Sequence, residues 1–255
     1  MISTNEPGLD RALVAGVDVG GTKVSIVVTD DLDRILYERV TPTDRSALVG
    51  QIAGLVGDAR RQLPHDLVAV GVGIPGRVDP EDGSVSMAVN LGITDLALGS
   101  MLQAELGVPI FVEHDARAAA LWLSQQPTAG WPHGSANLAF LAIGTGVSAG
   151  IVLDGALLRG ANSFAGEVGH VVADPDGVVC ACGLRGCLET IAAGPAIARQ
   201  AAEAVATGRD TVLSVGSSAG DVFRAGSSGD QVALEIIDRV AGHLARAIRS
   251  LAVRP

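Results

Sequence analysis

The chain has 255 residues, of which 48% are apolar and only 3% aromatic, so any core must be built from aliphatic side chains. Its formal net charge of −10 at pH 7 disfavours contact with a phosphate backbone, and we expect no nucleic-acid partner. The first ten residues lack the basic and apolar segments of a signal peptide, and the uncharged stretch 118–153 is broken by prolines and glycines. We therefore expect a cytoplasmic protein with no membrane partner.

The first half of the sequence alternates strand and helix patterns. Residues 12–30 form two valine-rich runs around a Gly-Gly-Thr turn, which predicts strand–turn–strand. The further predicted elements are a strand at 34–42, a helix at 46–63, a buried strand at 67–79 that contains a Pro-Gly turn, a helix at 96–106, a strand at 109–115 and a helix at 116–123.

The second half repeats the opening pattern. Residues 136–155 again predict strand, Gly-Thr-Gly turn and strand, and residues 230–252 predict a long amphipathic helix. Its expected apolar face consists of Val232, Ile236, Val240, Leu244 and Ile248. This alternation predicts an α/β fold with two related lobes around a cleft, an N-terminal lobe at 1–115 and a C-terminal lobe at 116–255.

Both glycine turns are candidate phosphate sites. In "VDVGGTK", Asp18 ends a strand and precedes Gly20, Gly21, Thr22 and Lys23. Glycines let a phosphate approach the backbone N–H groups, and a nearby carboxylate is suited to hold Mg²⁺. The alternative for this motif alone is a plain hairpin turn. The second turn, formed by Gly144, Thr145 and Gly146, supports the phosphate interpretation, since one turn per lobe would hold a nucleotide from both sides.

Asp115 lies between a predicted strand and a predicted helix in "VEHDARAAAL". One interpretation is a helix cap, because Asp is a favoured capping residue. The other is a general base, since a strand-end carboxylate is well placed to accept a proton from an attacking hydroxyl. The motif alone favours the cap.

All three cysteines lie within eight positions, as Cys180, Cys182 and Cys187. A structural zinc site needs four ligands, and His170 is the nearest histidine in sequence. A His–Cys₃ zinc site is therefore a candidate, and a disulfide with one spare thiol, or three buried thiols, are the alternatives.

Two glutamates bracket this candidate zinc site. Glu167 precedes His170 by three residues, and Glu189 follows Cys187 by two. A loop ordered by zinc would hold both carboxylates ready to bind the hydroxyl groups of a polar ligand. The alternative for each is a solvated surface glutamate, which is the usual state of this residue.

These motifs together resemble the ROK family of sugar kinases and sugar-responsive repressors. They occur in the family's order and cover most of the chain. The family's zinc signature, C-x-C-G-x-x-G-C-x-E, is complete here and is the most specific of them. The motifs are "DVGGTK" at 18–23, "GIPGRVD" at 73–79, "HDARAAAL" at 114–121, "GTG" at 144–146, "GEVGH" at 166–170 and "CACGLRGCLE" at 180–189.

The resemblance implies an actin-like ATPase, ribonuclease H-like fold, with ATP, Mg²⁺ and a sugar in the cleft. Asp18 would lie near the metal and phosphates, the two glycine turns would contact the phosphates, and Asp115 would be the catalytic base. A structural Zn²⁺ would be bound by His170 and the three cysteines. The implied sugar contacts are Gly76, Asn90, His114, Asp115, Glu167, His170 and Glu189. The resemblance also implies a homodimer or homotetramer.

The sequence departs from the family in two places. Family members often have Asn before the catalytic Asp, where this chain has His114, so the sugar pocket is expected to differ from that of a typical glucokinase. Relatives also continue after the long helix with a strand, a Gly-Gly pair near the adenosine and a closing helix. The sequence stops at Pro255, where that continuation would begin, so we expect part of the adenine-side wall to be missing.

The sequence thus predicts a kinase that transfers the γ-phosphoryl group of ATP to a hydroxyl of a hexose or N-acetylhexosamine. The alternative is a sugar-binding protein without turnover, or a truncated remnant. Family repressors carry a helix-turn-helix before the first strand, and the roughly 13 residues that precede it here are too few for that motif.

Overall fold

The structure is a computed structural model that describes residues 12–31, 34–127 and 134–252. The N-terminal ten residues, where we expect no signal peptide, lie outside the described residues. The chain divides into two compact units with the boundary after Ala118, and each has its own apolar core. Within the described ranges, no helix is both long and apolar enough to cross a membrane.

The first unit is a mixed sheet covered by helices. Its elements are β1 (Leu13–Val19), β2 (Lys23–Thr29), β3 (Ile35–Pro42), α1 (Leu48–Gln62), β4 (Leu67–Ile74), β5 (Arg77–Asp79), β6 (Ser84–Met87), a 3₁₀ turn (Val89–Leu91), α2 (Leu98–Leu106) and β7 (Ile110–His114). Among the described residues, five strands form the main sheet in the order β3-β2-β1-β4-β7, with β4 parallel to β1 and β7. β5 and β6 form a separate hairpin.

Local sequence explains why β1 and α1 form. In β1 the apolar side chains alternate, so Leu13, Ala15, Val17 and Val19 are buried while the residues between them face outward. In α1 the buried residues recur at helical spacing from Leu48 to Ala59, so that one face of the helix packs on the core. The predicted strand at 67–79 is two strands, because the Pro75-Gly76 turn separates β4 from β5.

The second unit combines a small sheet with a helical layer. Helix α3 (Asp115–Gln125) begins in the first unit and ends in the second. The other elements are β8 (Leu138–Ile143), β9 (Val147–Leu153), β10 (Ala156–Leu157), a 3₁₀ turn (Val168–His170), α4 (Glu189–Ala192), α5 (Gly194–Ala206), α6 (Ala219–Ser227) and α7 (Gln231–Ala252). Among the described residues of this unit, three antiparallel strands form the sheet, in the order β10-β9-β8.

The structure confirms both strand–turn–strand patterns, the α/β class and the long C-terminal helix. The expected apolar face of α7 is only partly correct. Val232, Ile236 and Val240 are buried in the core of the second unit, whereas Ile248 is 51% exposed. The periodicity continues beyond the part of the helix that packs on described residues.

Candidate active site

Two aspartates meet at one edge of the first unit's sheet. Asp18 of β1 pairs with Gly73 of β4, which in turn pairs with Glu113 of β7. Asp115 follows Glu113 by two residues and begins α3. Because β1, β4 and β7 are parallel, their carboxyl ends lie at the same edge, which is where ligands bind in open α/β sheets.

The charges of these two aspartates interact. The pKa of Asp18 is raised, mainly because burial removes part of its hydration and then because the Asp115 carboxylate repels its charge, while Lys23 opposes the shift. Water nevertheless reaches the Asp18 side chain. Two neighbouring carboxylates with open access to water are a donor set that suits a hydrated Mg²⁺ ion.

The Gly-Gly-Thr turn between β1 and β2 presents backbone N–H groups. The Gly20 N–H donates to the Lys23 carbonyl at 2.9 Å and closes the turn. The N–H groups of Gly21 and Thr22 make no hydrogen bond with any described residue. Adjacent free N–H groups in a turn form a concavity that attracts anions.

Two groups from the segment after β3 bind the carbonyls of the same turn. The Thr43 hydroxyl donates to the Gly20 carbonyl at 2.7 Å, and the Arg45 guanidinium donates to the Gly21 carbonyl at 3.0 Å. The sequence analysis missed both residues. Because they lie more than 20 positions from the turn, no local motif marks them.

The predicted sugar contacts of the first unit differ in accessibility. Asn90 is exposed. It lies beside the turn, since a Cβ placed on Gly21 would be 3.5 Å from the Asn90 carbonyl oxygen. Gly76 has φ +106°, and a Cβ there would lie 2.1 Å from the Met87 carbonyl oxygen. Backbone packing therefore explains the glycine at 76, and a sugar contact by Gly76 stays a prediction.

His114 and Asp115 lie side by side but differ in burial. The side chain of His114 is 4% exposed and that of Asp115 is 36% exposed, with 3.1 Å between Nδ1 and Oδ1. Asp115 Oδ1 also accepts the Ala116 N–H at 2.6 Å, and that N–H is 3.2 Å from His114 Nδ1. The burial of His114 favours contact with Asp115 over contact with a sugar. Asp115 is the first residue of α3, where a carboxylate interacts favourably with the helix dipole.

A buried ion pair supports this junction, and the sequence analysis missed it. The Arg117 side chain is 1% exposed and donates to Glu113 Oε1 at 3.1 Å. The same oxygen accepts the His114 N–H at 2.9 Å. The pair thereby links the end of β7 to the first turn of α3. The Glu-x-x-x-Arg spacing is present in the sequence. It predicts an ion pair across the strand–helix junction only when the boundary between β7 and α3 is known.

Residues from later in the chain also bind the Gly-Thr-Gly turn of the second unit. The Gly144 N–H donates to the Gly146 carbonyl at 2.9 Å, and the Gly194 N–H donates to the Gly144 carbonyl at 2.8 Å. Glu189 Oε2 accepts the Val147 N–H at 2.9 Å. The N–H groups of Thr145 and Gly146 find no partner among the described residues. This turn thus also offers two free donors.

His170 and the three cysteines form a compact cluster whose four ligand atoms lie within 4.8 Å of one another. The Cys182 and Cys187 sulfurs are 3.6 Å apart, and the Cys180 sulfur is 3.7 Å from His170 Nδ1. A tetrahedral zinc ion with Zn–S bonds of about 2.3 Å separates two sulfurs by about 3.8 Å. The cluster therefore fits zinc, and all three cysteines are free thiols.

The three thiols differ in their tendency to ionise. Burial disfavours the thiolate of Cys182, but hydrogen bonds, first a backbone hydrogen bond with Leu184, outweigh this effect and lower the pKa of Cys182. Burial raises the pKa of Cys187 to about 12, and burial also raises the pKa of Cys180. Without a cation these two thiols are neutral at pH 7. A bound divalent ion would stabilise the thiolates and supply the charge that the protein lacks here.

The backbone of the cysteine loop is folded tightly around this cluster. Gly186 has φ +73°, and its carbonyl accepts the N–H groups of Ala173 and Asp174. A Cβ at Gly186 would lie 1.5 Å from the Asp174 carbonyl oxygen, so only glycine fits. The Cys180 N–H donates to the Leu184 carbonyl at 2.7 Å and closes the turn between the cysteines.

His170 turns its two ring nitrogens to different partners. Nδ1 is next to the Cys180 sulfur, and Nε2 is 4.0 Å from Glu167 Oε2. One imidazole can therefore bind a metal on one side and leave its other nitrogen for a carboxylate or a ligand hydroxyl. Each unit thus gathers its own predicted residues: Asp18, Asp115, the 20–23 turn and Asn90 in the first, and the 144–146 turn, Glu189, Glu167 and the zinc cluster in the second.

Comparison with known proteins identifies the relatives of this chain. The sequence matches the ROK family over residues 14–254. A glucokinase of Halalkalibacterium halodurans is 36% identical over 251 residues, which is 93% of this chain and 75% of that protein. A putative xylose repressor of a Caldicellulosiruptor species is 30% identical over 253 residues, which is 94% of this chain and 62% of the repressor.

The solved structures agree with the sequence relatives. The crystal structure of a ROK family glucokinase from Streptomyces griseus, in complex with glucose and AMPPNP, matches with a TM-score of 0.79 at 31% identity. The match covers 94% of this chain and 79% of that chain. The predicted actin-like ATPase fold is thereby confirmed, and the chain belongs to the ROK family.

Proposed function

We propose that this protein is an ATP-dependent kinase that phosphorylates a hydroxyl of a hexose or N-acetylhexosamine. The observation that carries the proposal is the pair Asp18 and Asp115 at the carboxyl edge of the first unit's sheet, beside a glycine turn with two free N–H groups. Similarity to glucokinases, one of them in complex with glucose and AMPPNP, supports the sugar and nucleotide classes.

Asp115 is the general base in this proposal. Asp115 is the first residue of α3, and its carboxylate is accessible to water. The carboxylate accepts the hydroxyl proton as the sugar oxygen attacks the γ-phosphorus. Asp18 would hold Mg²⁺, directly or through water, and the ion supplies neutralising charge for the phosphates. The free N–H groups of the 20–23 and 144–146 turns would bind the phosphates, and Lys23 would contribute its positive charge. The Glu113–Arg117 pair keeps Asp115 at its place on the junction.

The sugar contacts proposed from the sequence are Gly76, Asn90, His114, Asp115, Glu167, His170 and Glu189. Asn90 is exposed beside the glycine turn, and Glu167 lies near the free side of His170. His114 is buried beside the proposed base, with its Nδ1 3.1 Å from Asp115 Oδ1, and its contact with the sugar stays a prediction. The zinc ion that we propose at His170, Cys180, Cys182 and Cys187 is structural, since the protein fills all four positions of a tetrahedral site.

The test is release of ADP from Mg-ATP with a panel of sugars: glucose, mannose, fructose, N-acetylglucosamine and N-acetylmannosamine. Asp115→Asn should lower sugar-dependent release about 10²- to 10⁴-fold, the usual contribution of a general base. Asp66→Asn is the matched control, because Asp66 is an exposed aspartate that precedes the opposite end of β4. An Asp115→Asn enzyme as active as the control would contradict the role of Asp115.

A second function, sugar binding without turnover, is favoured by the similarity to a putative repressor. It predicts calorimetric binding of one of these sugars with no ADP release by the wild-type chain. The cytoplasmic location, the homodimer or homotetramer and the lack of a nucleic-acid partner stay predictions. Metal analysis of the purified chain tests the zinc proposal, with one zinc per chain expected.

A further inference from the structure

The carbonyls of the first unit's glycine turn are held by two side chains. Thr43 donates its hydroxyl hydrogen to the Gly20 carbonyl, and Arg45 donates to the Gly21 carbonyl. Neither residue belongs to the sequence motifs of the site. Across the described ranges, Arg45 makes this one hydrogen bond and no ion pair, so the Gly21 carbonyl is its single protein partner there.

Because peptide groups are planar and trans, a contact that fixes a carbonyl also fixes the direction of the N–H in the same peptide. The Gly20 carbonyl and the Gly21 N–H belong to one peptide plane, and the Gly21 carbonyl and the Thr22 N–H belong to the next. In a trans peptide the C=O and N–H bonds point in opposite directions. A group that fixes the carbonyl on one face of the turn therefore aims the N–H at the other face.

The glycines in this turn are the reason why its peptide groups need partners that fix their orientation. A peptide flanked by glycines rotates with little steric cost, so a free turn would sample several orientations of its N–H groups. Ordering them when a ligand binds would reduce the affinity, whereas a turn that is already ordered avoids this loss. Two hydrogen bonds to successive carbonyls restrict both peptide planes at once.

The segment that carries Thr43 and Arg45 is itself ordered. The Thr43 N–H donates to the Thr22 carbonyl at 3.1 Å. The Asp44 carboxylate accepts the N–H groups of Ser46 and Ala47 at 3.0 and 3.2 Å, and the hydrogen bonds from Ser46 lower the pKa of Asp44. Asp44 is thus engaged with its own turn, and Arg45 is left to bind Gly21.

We propose that Thr43 and Arg45 are positioning residues that aim the N–H groups of Gly21 and Thr22 at a phosphate group. The proposal rests on the proposed nucleotide-dependent function, and it adds residues that act through the backbone rather than by touching the ligand. Arg45 contributes a charge-assisted bond at an exposed site, and Thr43 contributes a shorter, partly buried one.

The experiment compares Thr43→Val, Thr43→Ser, Arg45→Met and wild type. Calorimetry would measure binding of Mg-AMPPNP and of inorganic tripolyphosphate, which has phosphates but no nucleoside. Thr43→Val and Arg45→Met should weaken both ligands by about three- to tenfold, the loss expected for one hydrogen bond. Thr43→Ser keeps the hydroxyl and should bind as wild type does. Thr94→Val and Arg61→Met are matched controls at exposed positions whose side chains make no hydrogen bond with the described residues of the turn, and they should change neither affinity.

A second measurement on the free protein separates positioning from general stability. Residual dipolar couplings report the direction of each N–H bond. The coupling of Gly21 should change in Thr43→Val, that of Thr22 should change in Arg45→Met, and both should stay unchanged in Thr43→Ser. Unchanged couplings, or equal weakening by Thr43→Val and Thr43→Ser, would overturn the inference and leave the kinase proposal standing. A wild-type chain that binds neither ligand and releases no ADP would overturn both.

Discussion

Each unit has a glycine-containing turn between its first two strands, and different groups bind the two turns. In the first unit the turn's carbonyls are bound by the side chains of Thr43 and Arg45. In the second unit the Gly144 carbonyl is bound by the backbone N–H of Gly194, and Glu189 binds the N–H that follows the turn. Two free N–H groups remain in each. The shared feature is the pair of free N–H groups, not the residues that bind the turn.

The sheets around the two turns differ as well. In the first unit β1 lies between β2 and β4, and Val19 at its end is fully buried. In the second unit β8 has β9 as its one strand neighbour among the described residues, and Ile143 at the matching position is 46% exposed. The turn of the first unit therefore follows a fully buried strand end, and the turn of the second relies more on its contacts with Glu189 of α4 and Gly194 of α5.

The largest expected effect is that loss of the proposed metal ion destabilises the second unit but not the first. All three cysteines lie in the second unit, so removal of the zinc ion that we propose there should disorder that unit alone. Cys187→Ser replaces a fully buried ligand, and we expect the zinc content to fall from one per chain to near zero. Hydrogen exchange of residues 170–188 should speed up by at least about tenfold, while β1 and β4 keep their protection.

A chelator supplies the control for this prediction. Added to wild type, it should reproduce the exchange pattern of Cys187→Ser, and added to the variant it should change nothing. Equal loss of protection in both units would show that the metal stabilises the whole chain rather than the second unit.

The next effect tests the difference between the two sheets. Val19→Ala removes two buried methyl groups and should lower the free energy of unfolding by about 2 kcal/mol. Ile143→Ala, at the matching position of β8, should cost less than about 1 kcal/mol, because nearly half of that side chain already faces water. Urea unfolding of the two variants measures both values. Similar costs would mean that β8 is covered in solution by something outside the described residues.

A smaller effect tests the backbone contact that holds the second turn. A Cβ at position 194 would lie 3.2 Å from the Gly144 carbonyl oxygen, so Gly194→Ala must push that peptide by a few tenths of an ångström. We expect up to about tenfold weaker binding of Mg-AMPPNP, comparable to Thr43→Val in the first unit. Gly208→Ala is a poor control because of its positive φ, whereas Gly216→Ala meets open space and has an ordinary φ. Gly216→Ala should bind nucleotide as wild type does.

The parts of this site that the sequence predicted are those carried by short-range patterns. Alternating valines, glycine turns and the spacing of Cys180, Cys182 and Cys187 depend on neighbours within about ten positions, and the structure places them as expected. Asp115 could be placed at a strand–helix boundary for the same reason. The metal itself and the role of Asp115 remain proposals, since they depend on ligands.

The contacts that the sequence did not predict join distant segments. Thr43 reaches Gly20 across 23 positions and Arg45 reaches Gly21 across 24, and the Gly194–Gly144 contact is longer still. No periodicity encodes such pairs. The sequence also did not predict the burial of His114 or the exposure of Ile248, because a pattern shows which face is apolar but not what covers that face.

The smallest expected effect concerns the carboxylates that lie beside the first turn. The pKa of Asp18 is raised, first by burial and then by Asp115. A carboxyl with a raised folded-state pKa contributes stability below its unfolded pKa and loses it as the pH rises through the folded pKa. Ionised Asp18 therefore destabilises the free protein at neutral pH. Asp18→Asn should raise the melting temperature at pH 7 without Mg²⁺, and the gain should disappear at acid pH.

The size of this gain is limited because water reaches the carboxylate. We expect less than about 1 kcal/mol for Asp18→Asn. Asp115→Asn should gain less, because it also removes a carboxylate from the first turn of α3, where that charge interacts favourably with the helix dipole. Mg²⁺ should stabilise wild type by screening that repulsion and should have little effect on Asp18→Asn. A melting temperature that falls on Asp18→Asn at every pH would mean that the carboxylate supports the fold. The pair would then lose its distinguishing property, which is that the first unit tolerates two repelling charges at the place where we propose a cation binds.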